Sequence, residues 1–168
     1  MHGILDWGLG VVRAAQTLQS PALTALVKAV TFLGSEYAYV ALLPLVYWCV
    51  DERRGMRLGL MVLLSAWLNS FLNVLWRQPR PYDLDPAVAL ARETTFGLPS
   101  GHAQGSATFW GVVGSWLRFP VGLLAAVLVP LVVGLSRVYL GVHFPTDVLA
   151  GWALGGLLLA FYFAFGPL

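Results

Sequence analysis

The last third of the chain constrains the fold most. Between residues 121 and 165 only Arg137 and Asp147 are charged, set in two apolar runs that a short polar break separates. Each run is close to the ~20 residues that a helix needs to cross a ~30 Å hydrocarbon core. In that medium the backbone must satisfy its own hydrogen bonds, which favours helices. The rest of the chain agrees, with 58% hydrophobic residues, 11% charged residues and a mean hydropathy of +0.75. Soluble domains are about 45–50% apolar and about 25% charged. The reading is an all-α integral membrane bundle of five to six spans, folded as one domain over residues 1–168. A net charge of +2 with no basic run excludes a nucleic-acid partner. The one cysteine, Cys49, allows no internal disulfide and no cysteine metal cluster. The first residues lack a signal-peptide pattern, so insertion is expected to rely on the spans themselves.

Residues 1–18 mix Ile4, Leu5, Trp7, Leu9, Val11 and Val12 with Asp6, Arg13 and Gln16, the pattern of an interfacial amphipathic helix. Ser20-Pro21 then caps and starts a second helix that ends at Gly34. It is short for a span, so residues 1–33 are expected to be interfacial, tilted or re-entrant. Residues 36–50 are apolar, with Tyr37 and Tyr39 near one end, Tyr47 and Trp48 at the other, and a kink expected at Pro44. Asp51-Glu52-Arg53-Arg54 with Arg57 reads as a compact charged loop, cytoplasmic by the positive-inside rule. Residues 55–76 are a clear span. Ser65, Asn69 and Asn73 recur every four residues on one face of it and point to interhelical hydrogen bonding, with Asn73 near enough to the end to reach a site.

Residues 77–98 form the longest polar loop, with a short helix expected over residues 86–92 after Asp85-Pro86. Counting spans puts this loop outside, so Arg77, Arg80 and Arg92 break the charge rule and invite a functional reading. Residues 100–117 span inward from a Ser100 cap, residues 121–139 span outward, and the last span runs over 145–165. In that last span Gly151 and Gly155 make a small-xxx-small packing face, which also permits a homodimer. The ends of the 55–76 and 121–139 helices and the starts of the 100–117 and 145–165 helices therefore emerge on one side. Arg80, His102, Arg137, His143 and Asp147 can converge there.

Two arginines offer forks of N–H donors matched to phosphate. Ser100 caps a helix whose first amides, those of Gly101 and His102, lie at an anion-binding terminus. His143 and Asp147 are one turn apart, so the carboxylate can accept from Nδ1–H and present Nε2 as a nucleophile. His102 can protonate a leaving oxygen and later activate water. The route is a phosphohistidine intermediate followed by hydrolysis. A zinc site from His102, His143 and Asp147 lacks the usual histidine spacing, and adjacent arginines repel a cation, so no metal is assigned.

Arg80-Pro81, Pro99-Ser100-Gly101-His102 and Ser136-Arg137-x5-His143-x3-Asp147 resemble the signature of the type 2 phosphatidic acid phosphatases, which share a pocket with vanadium haloperoxidases and glucose-6-phosphatase. The second and third motifs are complete. In the first, Asn73 stands where that family has lysine. The resemblance covers residues 30–165. It implies a six-helix core and hydrolysis of a lipid phosphate without metal or other cofactor; the order of spans puts the site at the extracytoplasmic face of a cell or inner membrane. It also implies that Arg80, Arg137, Ser100 and Gly101 bind phosphate, that His102 is the acid, and that His143 is the nucleophile with Asp147 as its partner. Asn73 supplies only a neutral amide at the phosphate, and Arg77 is the residue placed to compensate if its helix continues that far. Residues 34–51 with Gln78-Pro79-Arg80-Pro81 are also similar to the sphingosine-phosphate and polyprenyl-diphosphate phosphatase branches. Undecaprenyl diphosphate, phosphatidate and phosphatidylglycerol phosphate are the expected substrates. A lipid phosphotransferase using the same intermediate, or a non-catalytic lipid-phosphate binder or transporter motivated by Asn73, are the alternatives.

Overall fold

The structure is a computed structural model that describes residues 2–165; Met1 and residues 166–168, the two ends of the expected domain, lie outside the described residues. All regular structure among the described residues is helical. Helix α1 (His2–Gln16) places Leu9 and Val12 on its buried face, with Leu5 one turn earlier, the spacing that aligns side chains on one side of a helix. Helix α2 (Pro21–Thr31) starts where Ser20 accepts from Leu23 N and proline sits in the first turn. It runs into a 3-10 turn at Phe32–Gly34, and Ser35 caps the next helix, α3 (Glu36–Cys49), which continues through Pro44. The stretches Pro21–Gly34 and Glu36–Cys49 are bent by 49° and together make a broken span or a re-entrant loop.

Helix α4 (Glu52–Trp76) absorbs the expected charged loop. Asp51 accepts from Arg54 N, so Glu52, Arg53, Arg54 and Arg57 form the first turns of the helix and not a connection. The carboxylate supplies the acceptor that the open N-terminal amides lack, and that outweighs the polarity of the segment. At the other end Arg77 takes a left-handed conformation (φ 48°) and stops the helix. A four-residue helix, α5 (Pro81–Leu84), and a 3-10 turn at Pro86–Val88 follow. The helix expected over residues 86–92 is therefore one turn only. Asp85 caps it through Ala87 N, but Ala89 is already extended (φ −76°, ψ 90°).

Helix α6 (Gly101–Trp116) is the hub, packed against α4 and against the last two helices, α7 (Val121–Tyr139) and α8 (Pro145–Phe165). The small-residue face of α8 meets α6: a Cβ on Gly151 would lie 2.6 Å from the Ser100 carbonyl, and one on Gly155 2.6 Å from Ala107 Cβ. That face is thus filled within the chain. Between α4 and α6, Gln104 donates to Ser65 O and Oγ and accepts from Asn69 Nδ2, the expected use of the Ser65–Asn69 stripe. Such bonds matter where the lipid offers no partner.

By length and composition three helices can cross a membrane, or four if the bent pair counts as one span. Helix α6, at 16 residues, is about 24 Å long, shorter than a ~30 Å hydrocarbon core. Leu60, Leu63, Trp67, Phe71, Leu123, Leu157 and Phe161 are exposed, as suits surfaces turned to lipid. The inner cores are two clusters. Tyr39, Leu58, Phe109 and Val112 fill one end; Leu9, Val12, Tyr82, Val88, Leu140, Val142 and Phe144 fill the end that carries the polar loop.

Candidate active site

The site is built where four helix ends meet. Ser100 N donates to Asp147 O (3.0 Å), which ties the start of α6 to the start of α8. Gly97 N donates to Gln78 O (2.8 Å), and Leu90 N donates to Leu140 O (3.1 Å), which draws the polar loop over the junction. Arg80, His102, Arg137, His143 and Asp147, expected to converge, do so.

His143 is buried between α7 and α8, and its two nitrogens have different neighbours. Nδ1 is 2.8 Å from the Gly97 carbonyl, which can only accept, so Nδ1 carries the proton. Nε2 is 3.3 Å from Arg80 Nη1, which can only donate, so Nε2 presents its lone pair. Burial, with Arg80, Arg137 and His102 adding to it, holds the imidazole well below its ordinary pKa of 6.5, against the opposing bond to Gly97. It is a neutral imidazole whose free nitrogen faces the Arg80 guanidinium.

Asp147 departs from the expected geometry. Its Oδ2 is 3.5 Å from His143 Nδ1, farther than the Gly97 carbonyl, and accepts from Phe144 N at 2.8 Å; its Oδ1 accepts from Gln78 Nε2. The carboxylate caps the first turn of α8, and that commitment leaves the closest approach to Nδ1 to a backbone oxygen. Glycine suits position 97, since a Cβ there would sit tightly, 3.0 Å from Pro79 O and 3.3 Å from Asp147 Oδ2.

The two arginines reach the pocket from different elements. Arg80 donates through Nε to Thr95 O, through Nη1 to Val142 O and through Nη2 to Thr95 Oγ1. Arg137 donates through Nη1 to Thr31 Oγ1, while its buried Nε has no partner. Both also pair with Glu93, Arg80 Nη2 at 2.9 Å and Arg137 through its own Nη2. His102, partly exposed in the first turn of α6, has Nδ1 3.9 Å from the same carboxylate. Ser100 spends its hydroxyl on Ala103 N, and Gly101 follows it in the turn whose amides have no intrahelical acceptor.

Asn73 is buried but turned to the loop. Its Nδ2 donates to Phe96 O (2.8 Å) and Leu98 O, and its Oδ1 accepts from Phe96 N (2.9 Å), so its amide is consumed in holding residues 96–98. Arg77, beyond the helix end and exposed, donates to Val74 O and does not replace the missing lysine. Of the three arginines on the polar loop only Arg80 enters the site; Arg92 lies over the Tyr82 ring. Among the described residues no three His, Cys, Asp or Glu side chains are placed to hold a metal ion. Sequence reasoning passed over Glu93, Gln78, Thr95, Thr31 and the Gly97 carbonyl. The one signal for Glu93 was its position, an acidic residue beside Arg92 in the loop that carries the unexplained arginines.

Comparison with known proteins places these features in a family. Residues 54–167 match the PAP2 superfamily. The chain is 32% identical over 161 residues to phosphatidylglycerophosphatase B of Bacillus subtilis, covering 88% of this chain and 77% of that protein. It is 30% identical over 136 residues to mouse sphingosine-1-phosphate phosphatase 2, covering 76% of this chain but only 38% of that longer protein. The fold superimposes on the crystal structure of a transmembrane PAP2-type phosphatidylglycerolphosphate phosphatase from Bacillus subtilis with a TM-score of 0.86 at 28% identity. That match covers 99% of this chain and 87% of the other.

Proposed function

The chain belongs to the PAP2 superfamily, and on that footing we propose that it is an integral membrane phosphatase for a lipid phosphate monoester or diphosphate, acting through a phosphohistidine without a metal ion. The observation that carries this reading is the state of His143: Nδ1 bonded to the Gly97 carbonyl, Nε2 left with its lone pair toward Arg80. In the proposed first step Nε2 bonds to phosphorus as the P–O bond to the lipid breaks, and His102 gives its proton to the leaving oxygen. In the second, His102 takes a proton from water, the water oxygen bonds to phosphorus, and the N–P bond breaks to release inorganic phosphate. Arg80, Arg137 and the first amides of α6 stabilise the phosphoryl oxygens, and Asp147 stabilises the imidazole as it gains positive charge.

The fold has a reason to suit a lipid. The site lies at the ends of membrane helices, where a headgroup can enter while its tails stay in the bilayer. Residues 77–98 serve as the extracytoplasmic loop over the site, α1 and α2 as its interfacial or re-entrant flank, and the chain acts as one domain.

Phosphate release by the purified protein in detergent or liposomes, with EDTA present, tests the chemistry. The panel is undecaprenyl diphosphate, phosphatidate, phosphatidylglycerol phosphate and sphingosine phosphate. Release that survives EDTA and is lost in His143→Ala is expected. Appearance of a phosphorylated acceptor in place of free phosphate would mean a transferase, and binding without turnover, indifferent to His143→Ala, a binder. For sidedness, Arg92→Cys should react with a membrane-impermeant thiol reagent in intact cells, while Cys49, exposed beside the Asp51 end of the fold, should not.

A further inference from the structure

The carboxylate of Glu93 stands where the proposed chemistry needs a phosphate. Its Oε2 pairs with Arg80 Nη2 at 2.9 Å and lies 3.8 Å from His143 Nε2. Its Oε1 pairs with Arg137 Nη2 and lies 3.9 Å from His102 Nδ1. Both arginines and both histidines thus meet on one side chain. Two buried guanidinium groups without a counter-ion are strongly unfavourable, so a pocket free of substrate needs an anion. Glu93 supplies it, yet incompletely, because Arg137 Nε stays buried and unpartnered. A tetrahedral anion has more oxygens to offer than a carboxylate.

The way in which Glu93 is held suits displacement. Its main chain is pinned, with Tyr82 Oη donating to Glu93 O (2.9 Å) and accepting from Glu93 N (3.2 Å). Its side chain is 24% exposed, against 2% for Arg80, 4% for Arg137 and 1% for His143. An incoming anion can therefore turn the carboxylate outward by side-chain rotation alone, without opening the loop.

We propose that Glu93 is a specificity-determining residue, an internal anion that occupies the phosphate pocket until a terminal phosphate displaces it and that keeps phosphodiester lipids out. This rests on the reading of the pocket as a phosphate site. A terminal phosphate carries about −1.5 to −2 charge at pH 7 and three free oxygens. A phosphodiester carries one charge and two free oxygens, so exchanging Glu93 for it adds no charge opposite the two arginines. The surrounding bilayer is rich in such diesters, and a competitor tethered in the pocket lowers the apparent affinity of every anion by the fraction of open molecules. Only an anion with greater intrinsic affinity overcomes that factor.

Calorimetric titration with inorganic phosphate, on the purified full chain in detergent, tests this directly and needs no turnover. Glu93→Gln keeps the shape and removes the charge, and it should bind phosphate about tenfold tighter than the parent. Short-chain phosphatidylglycerol, a diester, should compete with phosphate at about tenfold lower concentration in Glu93→Gln than in the parent. Glu93→Asp, whose carboxylate is a methylene shorter, should fall between the two, and it carries the test alone if Glu93→Gln does not fold. A merely structural Glu93 would give weaker phosphate binding in the variants. That result, unchanged affinity, or absence of diester competition in Glu93→Gln would overturn the proposal, as would phosphate binding to none of the three proteins. Phosphate binding that follows the expected order without release from any lipid would instead count against the phosphatase reading and leave the role of Glu93 standing.

Discussion

Asn73 and His143 show how the site depends on which polar atoms already have partners. The amide of Asn73 bonds to Phe96 and Leu98, and through residues 96–98 it positions the Gly97 carbonyl that holds His143 Nδ1. Asn73→Ala is expected to cost about 1–3 kcal/mol in unfolding free energy, the penalty for stranding buried backbone groups, and to lower kcat/KM about tenfold or more. Denaturation in detergent and phosphate release measure the two. Asn73→Lys should behave in the same way and not raise turnover, because an ammonium cannot accept from Phe96 N. For His143 the depressed pKa means that the unfolded chain takes up a proton first. Its contribution to stability is present above the ordinary value of 6.5 and is lost as the pH falls below it. A magnetic resonance titration, assigned with His143→Ala, should find the ring still neutral at about pH 6.

At the scale of elements, the contact of α8 with α6 decides whether the motifs meet. Ser100 and Asp147 begin these helices, and their backbones are joined directly. Adjacent glycines separate packing from mere composition. A Cβ on Gly155 meets Ala107 Cβ at 2.6 Å and the Gln104 carbonyl at 2.8 Å, whereas one on Gly156 meets nothing within 4 Å. Gly155→Leu is expected to cost about 1–3 kcal/mol through overpacking and to reduce activity by moving α8. Gly156→Leu, turned away from α6, should leave both unchanged. Thermal unfolding and phosphate release of the paired variants check this. The same contact explains why the small-residue face is not free to form a dimer.

For the molecule as a whole, α1 belongs to the wall of the active end. Leu9 and Val12 are buried in the cluster that contains Phe144, next to His143, and Gln16 Nε2 donates to Val88 O and Tyr139 O. Arg13 also pairs with Asp85 at 2.7 Å, but that contact is exposed and worth little. Val12 has no exposed surface, so Val12→Asp should destabilise the fold by more than about 3 kcal/mol and abolish phosphate release. A helix that only rested on the membrane surface would tolerate it, with loss confined to membrane association. Unfolding and activity in detergent, where such association no longer matters, distinguish the two.

Much of this protein is legible in its sequence. Apolar run lengths set the helices, Ser20 and Ser100 marked helix starts by a local hydrogen bond, and the order of spans brought Arg80, His102, Arg137, His143 and Asp147 to one end. These are short-range or periodic properties, and periodicity is what a sequence displays. Three things depended on tertiary structure: the left-handed stop at Arg77, the turning of Asn73 toward the loop, and the meeting of Glu93, Gln78, Thr31, Thr95 and the Gly97 carbonyl around the two arginines. Residues 89–98 follow no helical or strand period, so nothing local dictates where a carboxylate or a backbone oxygen will point. Their positions follow from bonds to Asn73, Gln78, Tyr82 and Leu140, residues distant in the chain that only the packed helices bring within reach.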